Sequence, residues 1–125
     1  MTILYIKKYN RTYIKSHPDW LFVFGDNLER AGYGGQAEQA RGEPNAIGVA
    51  TKRFPSMDQR AFFSNADYDE WFASEKSTLK RLMEASKAGR TIIWPLDGIG
   101  TGLARLEKSA PMIWNDIEAL RLAIQ

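Results

Sequence analysis

The chain has 125 residues, no cysteine, and a formal net charge of +2 from 17 basic and 15 acidic side chains. This length supports one hydrophobic core, so a single domain over residues 1–125 is predicted. The mixed charges argue against a general nucleic-acid binder, and the missing cysteines exclude disulfides, thiolate catalysis and cysteine-containing zinc sites. No run of eighteen apolar residues and no signal-peptide pattern occurs, which predicts a cytoplasmic protein, in a host cytoplasm if a phage encodes it.

The first predicted strand covers residues 3–9, and Lys7 and Lys8 within it are typical of a sheet edge. Residues 10–18 are polar and predict a connection, in which the single histidine, His17, is interpreted as a loop residue. Residues 20–24 form a continuous apolar run, which predicts a strand buried on both faces of a sheet.

A polar tip and a glycine-rich segment follow this second strand. Asp26 and Asn27 form the tip, and residues 36–41 after the segment are good helix formers. The glycines of the segment are Gly32, Gly34 and Gly35. The order of strand, polar tip, glycine loop and helix predicts a ligand site at the carboxyl end of the strand.

Residues 46–50 predict a third core strand, which ends in Thr51, Lys52 and Arg53. Residues 54–65 are irregular and either cover the site or pack against it. A helix with an apolar stripe is predicted from Asp67 to a stop at Gly89. A last helix is predicted to begin near Ser109, as its N-cap, and to bury an apolar stripe at residues 113, 117, 120 and 124.

The apolar residues 91–94 predict a fourth strand, which runs into a second glycine-rich segment with the pattern G-x-G-x-G. Its glycines are Gly98, Gly100 and Gly102. Glycine lets a ligand approach the main-chain N–H groups, and the helix predicted after the segment would add the positive end of its dipole. This pattern indicates an anion site, although a glycine-rich turn without a ligand fits it equally well. If the strands are parallel, the tips after the second, third and fourth strands meet at one edge of the sheet.

The motifs at residues 23–27, 31–37 and 94–103, in this order, resemble those of the macrodomain family of ADP-ribose-binding modules. The chain is most similar to the terminal ADP-ribose glycohydrolase branch and to small phage and bacterial macrodomain-like proteins. The resemblance implies a three-layer α/β/α fold with a mixed, largely parallel central sheet. It implies binding of ADP-ribose or a related nucleotide, free or on a protein or nucleic acid, by a monomer that needs no cofactor, metal or membrane.

The resemblance also implies roles for single residues. Asn27 would contact the distal ribose, and Lys52 matches the lysine that attacks the anomeric carbon in the glycohydrolase branch. As a nucleophile, Lys52 needs a pKa lowered by burial or by the neighbouring Arg53; alternatively, it is a phosphate-pairing cation. The remaining implied ligand-binding residues are Asp26, Gly34, Gly35, Thr51, Gly98, Ile99, Gly100, Thr101, Gly102 and Leu103.

Two features depart from the family pattern. Ala104 occupies the position of the catalytic acid in the glycohydrolase branch, so Asp97 is the nearest substitute and Asp26 the second; Asp97 is equally interpretable as a turn residue before Gly98. The element that reads adenine in many macrodomains has no counterpart before Trp20. Hydrolysis of an ADP-ribosyl linkage and noncatalytic sequestration of an ADP-ribose-derived signal, as in phage counter-defence, are therefore both open. A P-loop hydrolase is disfavoured because its motif is missing.

Overall fold

The computed structural model describes residues 3–32, 35–102 and 104–125. Its strands are β1 (Ile3–Ile6), β2 (Leu21–Asn27), β3 (Ala46–Lys52) and β4 (Ile92–Pro95). Its helices are α1 (Arg11–Ser16), α2 (Gly35–Ala40), α3 (Tyr68–Lys87), α4 (Leu106–Ser109) and α5 (Pro111–Ala123), with 3₁₀ turns at Gln59–Ala61 and Asn65–Asp67. The described strands form one sheet in the order β1-β4-β2-β3. The predicted α/β class is confirmed, and the pairing, expected to be largely parallel, is parallel between all neighbouring strands of this sheet.

Apolar side chains on both faces of the sheet explain the continuous apolar runs. Phe22 and Phe24 of β2 point to one face, where they pack with Ile14 of α1 and Ala40 of α2. The other face of the sheet packs against α3, α4 and α5. Its buried side chains include Leu21 and Val23 of β2 and Ile92 and Trp94 of β4. Helices therefore cover both faces, as a buried parallel sheet requires.

The two long helices bury the apolar stripes predicted for them. Ile113, Ile117, Leu120 and Ile124 are all buried, and Trp71 and Leu82 of α3 are fully buried. Gly89 follows the end of α3 with a φ of +84°, a conformation that favours glycine. The N-cap predicted at Ser109 is wrong: Ala110 precedes α5, because Ser109 is the last residue of α4 and its hydroxyl donates to the Arg105 carbonyl.

The polar connection at residues 10–18 contains a helix that its composition did not predict. The Asn10 side chain caps α1 by accepting from the Tyr13 N–H at 2.8 Å. Ile14 is fully buried, and the Asn45 side chain donates to its carbonyl at 2.9 Å. The local cap from Asn10 and the burial of Ile14, together with its contact to the distant Asn45, stabilise this short helix.

The two edge strands of the sheet, β1 and β3, differ in length and in their contacts. The strand predicted at residues 3–9 is confirmed as an edge strand, although it ends at Ile6. At the opposite edge, Glu75 accepts from the Ala50 N–H at 2.6 Å, and the Trp71 indole donates to the Ala50 carbonyl at 2.8 Å. Two side chains of α3 thus satisfy the outer backbone groups of Ala50 in β3, which hinders pairing with another chain at this point of the edge.

No helix in the described ranges combines the length and the apolar character that a membrane span requires.

Candidate functional site

The carboxyl ends of β2 and β3 border a pocket of about 650 Å³, and the loop that follows β4 also lines it. The ladder between β2 and β4 contains only Leu21↔Ile92 and Phe22↔Ile93, whereas β2 pairs with β3 as far as Asn27↔Lys52. After β2 the chain enters α2 on one face, and after β4 it enters α4 and α5 on the other face. Loops that leave neighbouring strands toward opposite faces open a crevice between them, which is where ligands bind in open parallel sheets.

Both glycine-rich segments reach this pocket. Gly32 and Gly35 line it from the segment after β2, and Gly100 and Gly102 line it from the segment after β4. Gly34, which was predicted to bind ligand, lies outside the described residues, as does Leu103. The two segments are therefore neighbours in space, although more than sixty residues separate them in the sequence.

Main-chain donors are available in the second segment. The N–H groups of Gly100 and Gly102 donate to no acceptor within residues 3–32, 35–102 and 104–125. The Gly100 carbonyl accepts from the Leu106 N–H at 2.8 Å, which holds the segment against the start of α4. Since α4 has only four residues, the helix-dipole contribution predicted from the sequence is negligible. Bare amides are what this loop offers to an anion.

The segment after β2 is held by side chains of its own neighbourhood. The Asn27 amide donates to the Ala31 carbonyl at 2.7 Å and accepts from the Ala31 N–H at 3.5 Å. The Arg41 guanidinium donates to the carbonyls of Ala31 and Gly32, at 3.1 Å each. Asn27 lines the pocket, and its side-chain amide is engaged in shaping the loop.

Asp26 lies at the base of the pocket in a buried ion pair. One of its carboxylate oxygens is 2.5 Å from the Arg41 guanidinium and also accepts from the Asn27 N–H. Arg30 lies at 4.0 Å from Asp26, and one of its guanidinium nitrogens donates to both carboxylate oxygens of the fully buried Glu75 of α3, at 3.0 and 2.9 Å. A buried carboxylate requires such partners. We therefore interpret Asp26 as a structural residue that anchors this loop.

Lys52 lines the pocket at the end of β3, and its ammonium has weak partners. The Nζ atom lies 4.0 Å from the Met57 sulfur and 5.0 Å from the centre of the Phe62 ring. It forms no ion pair with any carboxylate in the described part of the chain. Burial lowers the pKa of Lys52. Arg53 does not cause this shift, because its guanidinium pairs with Asp67 and Glu70.

Several predicted residues do not line the pocket. Asp97 is exposed, and its carbonyl accepts from the Thr101 hydroxyl. Ile99 is 4% exposed and packs in the core beside Gly25. Gly98 and Thr101 belong to the turn but not to the wall of the pocket. Thr51 does line the pocket, and its hydroxyl donates to the Asp26 carbonyl at 3.1 Å.

Further lining residues escaped prediction from the sequence. Arg41 and Gln36 were assigned only to a helix, yet Arg41 shapes the loop and Gln36 bonds to both backbone polar groups of Tyr9. The other lining residues without a predicted ligand role are Gly25, Ala31, Gly32, Ala37, Pro55, Ser56, Met57 and Ala104. The motifs at residues 23–27 and 31–37 and the irregular residues 54–65 were signals for this region, but they identified segments rather than particular side chains.

No group of three or more His, Asp or Glu side chains able to hold a metal ion occurs among the residues described.

The fold and the pocket define a parallel α/β protein with a crevice at the carboxyl ends of β2 and β3. The chain belongs to the family of unknown function DUF7831, whose model matches residues 4–120. A search of curated proteins found no match, and a search of solved structures found none.

Proposed function

We propose that this pocket binds ADP-ribose or a closely related nucleotide, free or attached to a protein or nucleic acid. The observation that carries the proposal is the meeting of two glycine-rich segments on one pocket, where the N–H groups of Gly100 and Gly102 have no acceptor among the described residues. A diphosphate needs several donors at close range, and unpaired backbone amides without side chains supply them. The resemblance of the motifs to those of macrodomains supports the same ligand.

The size and walls of the pocket suit a nucleotide. Pockets for small ligands range from about 300 to 1,000 Å³, and the volume of about 650 Å³ lies within this range. Ala31, Ala37, Pro55, Met57 and Ala104 provide apolar surface for a base or a ribose face.

The charge of the pocket also favours an anion. Asp26 is the only carboxylate among the described lining residues, and it is paired with Arg41. Lys52 remains as a cation without a carboxylate partner in the described part of the chain. The net charge that a ligand meets is therefore positive, which stabilises a diphosphate.

Hydrolysis of an ADP-ribosyl linkage is the second candidate, and the lowered pKa of Lys52 favours it. A free amine at Lys52 would attack the anomeric carbon, and an acid would have to protonate the leaving group. Ala104 offers no proton, Asp97 is exposed outside the pocket wall, and Asp26 is engaged with Arg41. We therefore favour binding without turnover, by a monomer in the cytoplasm that reads or sequesters an ADP-ribose-derived ligand.

Isothermal titration with ADP-ribose tests the proposal. We expect a Kd below about 0.1 mM, equivalent to about 5.5 kcal/mol. Binding of AMP and of ribose 5-phosphate, which lack the diphosphate, should be at least about tenfold weaker. No heat at millimolar ADP-ribose would remove the proposal. Product analysis with ADP-ribosylated protein and DNA separates the two candidate functions. Release of ADP-ribose would show hydrolysis and would rule out binding without turnover.

A matched pair of variants reports on the charge of the pocket. Ala104→Asp adds a negative charge to its wall, whereas Ala104→Asn adds nearly the same volume without charge. The Asp variant should bind ADP-ribose about tenfold more weakly than the Asn variant, because a carboxylate repels the diphosphate. Thermal unfolding of both variants controls for the cost of placing a polar group at a position that is 7% exposed.

A further inference from the structure

Met57 is an exposed methionine at the rim of the pocket. Its side chain is 52% exposed, and with Pro55 and Ser56 it forms the part of the wall contributed by the irregular segment after β3. A large apolar side chain that is open to solvent and borders a ligand site is accessible to small oxidants.

The sulfur of Met57 is a near neighbour of the pocket cation. Met57 Sδ lies 4.0 Å from Lys52 Nζ, and the centre of the Phe62 ring lies 5.0 Å from the same nitrogen. A thioether is a weak acceptor and an aromatic ring is a diffuse one. Within the described residues no carboxylate pairs with Lys52, so the ammonium is available to an anion.

We propose that Met57 is a redox-sensitive modification site, whose oxidation to the sulfoxide engages Lys52 and lowers the affinity of the pocket for its anionic ligand. In the reaction a peroxide transfers one oxygen atom to Sδ. The thioether loses two electrons, and hydrogen peroxide is reduced to water. The effect on affinity rests on the proposed function, whereas the effect on Lys52 does not.

The sulfoxide changes two properties of the rim. Its oxygen carries partial negative charge and is a strong acceptor at the place where the weakly accepting sulfur contacts Lys52. The hydrogen bond from the ammonium stabilises the protonated amine and competes with a phosphate for the same donor. The sulfoxide is also polar, so the apolar surface that Met57 offers to a ligand is lost. Reductases of methionine sulfoxide reverse the modification, which makes it a switch.

The chain supplies its own control for this chemistry. Met112 on α5 is 47% exposed, close to the value for Met57, and it does not line the pocket. Peroxide should therefore oxidise both residues, and only the Met57 sulfoxide should affect the pocket. Leucine has a similar volume and cannot be oxidised, so Met57→Leu and Met112→Leu form a matched pair.

The first readout needs no ligand. Protein is treated with hydrogen peroxide until peptide mass spectrometry shows the gain of about 16 Da at Met57, and the rate of Lys52 acylation by an amine-reactive reagent is measured. We expect acylation at least threefold slower after oxidation in the wild type and in Met112→Leu, and an unchanged rate in Met57→Leu. An unchanged Lys52 rate in wild-type protein oxidised at Met57 would overturn the proposal.

The second readout is the affinity for ADP-ribose. Oxidation should weaken binding at least fivefold in the wild type and in Met112→Leu, and reduction by a sulfoxide reductase should restore it. Equal losses in Met57→Leu and the wild type would also overturn the proposal. Failure of unoxidised protein to bind ADP-ribose defeats the proposed function alone, and the acylation rates then decide whether Met57 controls Lys52.

Discussion

Most polar side chains around the pocket are already bonded to the protein itself. Asp26 pairs with Arg41, the Asn27 amide holds Ala31, and Thr51 donates to a carbonyl. Lys52 differs, since its nearest partners are a thioether and an aromatic ring. At the scale of single residues, Lys52 is therefore the side chain that gains most from a bound anion.

Replacing Lys52 tests this difference. Lys52→Gln should weaken ADP-ribose binding by about 10- to 100-fold, the value of a charge-assisted hydrogen bond to phosphate of about 1.5–3 kcal/mol. Lys76→Gln, which removes an exposed lysine of α3 outside the pocket wall, should leave the affinity unchanged. Isothermal titration of the two variants and the wild type makes the comparison.

The pH dependence of binding provides a control for this result. Burial lowers the pKa of Lys52 below 10.5, the usual value for lysine. The protonated amine binds the anion, so wild-type affinity should fall as the pH rises through this lowered pKa, and the fall should be smaller in Lys52→Gln. Equal affinities of the wild type and Lys52→Gln would show that Lys52 does not contact the ligand.

In the second glycine-rich segment, the two glycines that line the pocket differ in backbone geometry and surroundings. Gly100 has a φ of +79°, and a Cβ atom there would lie 2.9 Å from Leu106 Cβ. Gly102 has no such φ, and a Cβ atom there would meet nothing within 4 Å. One glycine is thus required by the fold of the loop, while the other leaves open space at the pocket wall.

These two glycines make a matched pair of stability variants. Gly100→Ala should lower the free energy of unfolding by about 2–4 kcal/mol, through backbone strain and overlap with Leu106. Gly102→Ala should change it by less than about 1 kcal/mol, and in the stabilising direction, because alanine restricts the unfolded chain. Urea denaturation measures both, and equal losses would mean that Gly100 is not in close contact with Leu106.

Elements with strong local patterns were predictable, and those that depend on distant contacts were not. The apolar run at residues 20–24 and the apolar stripe of α5 are visible in the sequence itself, so the burial of both was predictable. Helix α1 does not, since its helical form relies on a cap from Asn10 and on the burial of Ile14 against the sheet. The composition of residues 10–18 alone could only indicate a polar connection.

Dependence on contacts between distant residues also limits how much of the pocket can be predicted from the sequence. The sequence indicated two glycine-rich segments and the strand ends beside them, and the parallel sheet brings described parts of both to one pocket. It did not indicate that Arg41 pairs with Asp26, or that Arg30 pairs with Glu75, which follows it by 45 residues. Such pairs depend on how the helices dock, which no local pattern contains.

Asp97 is close to the predicted site in sequence, but it does not line the pocket. It follows a core strand and precedes the glycine pattern, a position that favoured a role in catalysis. The turn at residues 97–101 leaves its side chain exposed, while the chain continues to the pocket at Gly100. Sequence proximity to a site therefore did not give the direction of the side chain.

Binding of one diphosphate by amides from both glycine-rich segments can be followed by amide chemical shifts during an ADP-ribose titration. We expect the ¹⁵N–¹H signals of Gly32 and Gly35 and those of Gly100 and Gly102 to shift together, with one common Kd. Shifts confined to one of the two segments, or two segments that respond with different affinities, would contradict it.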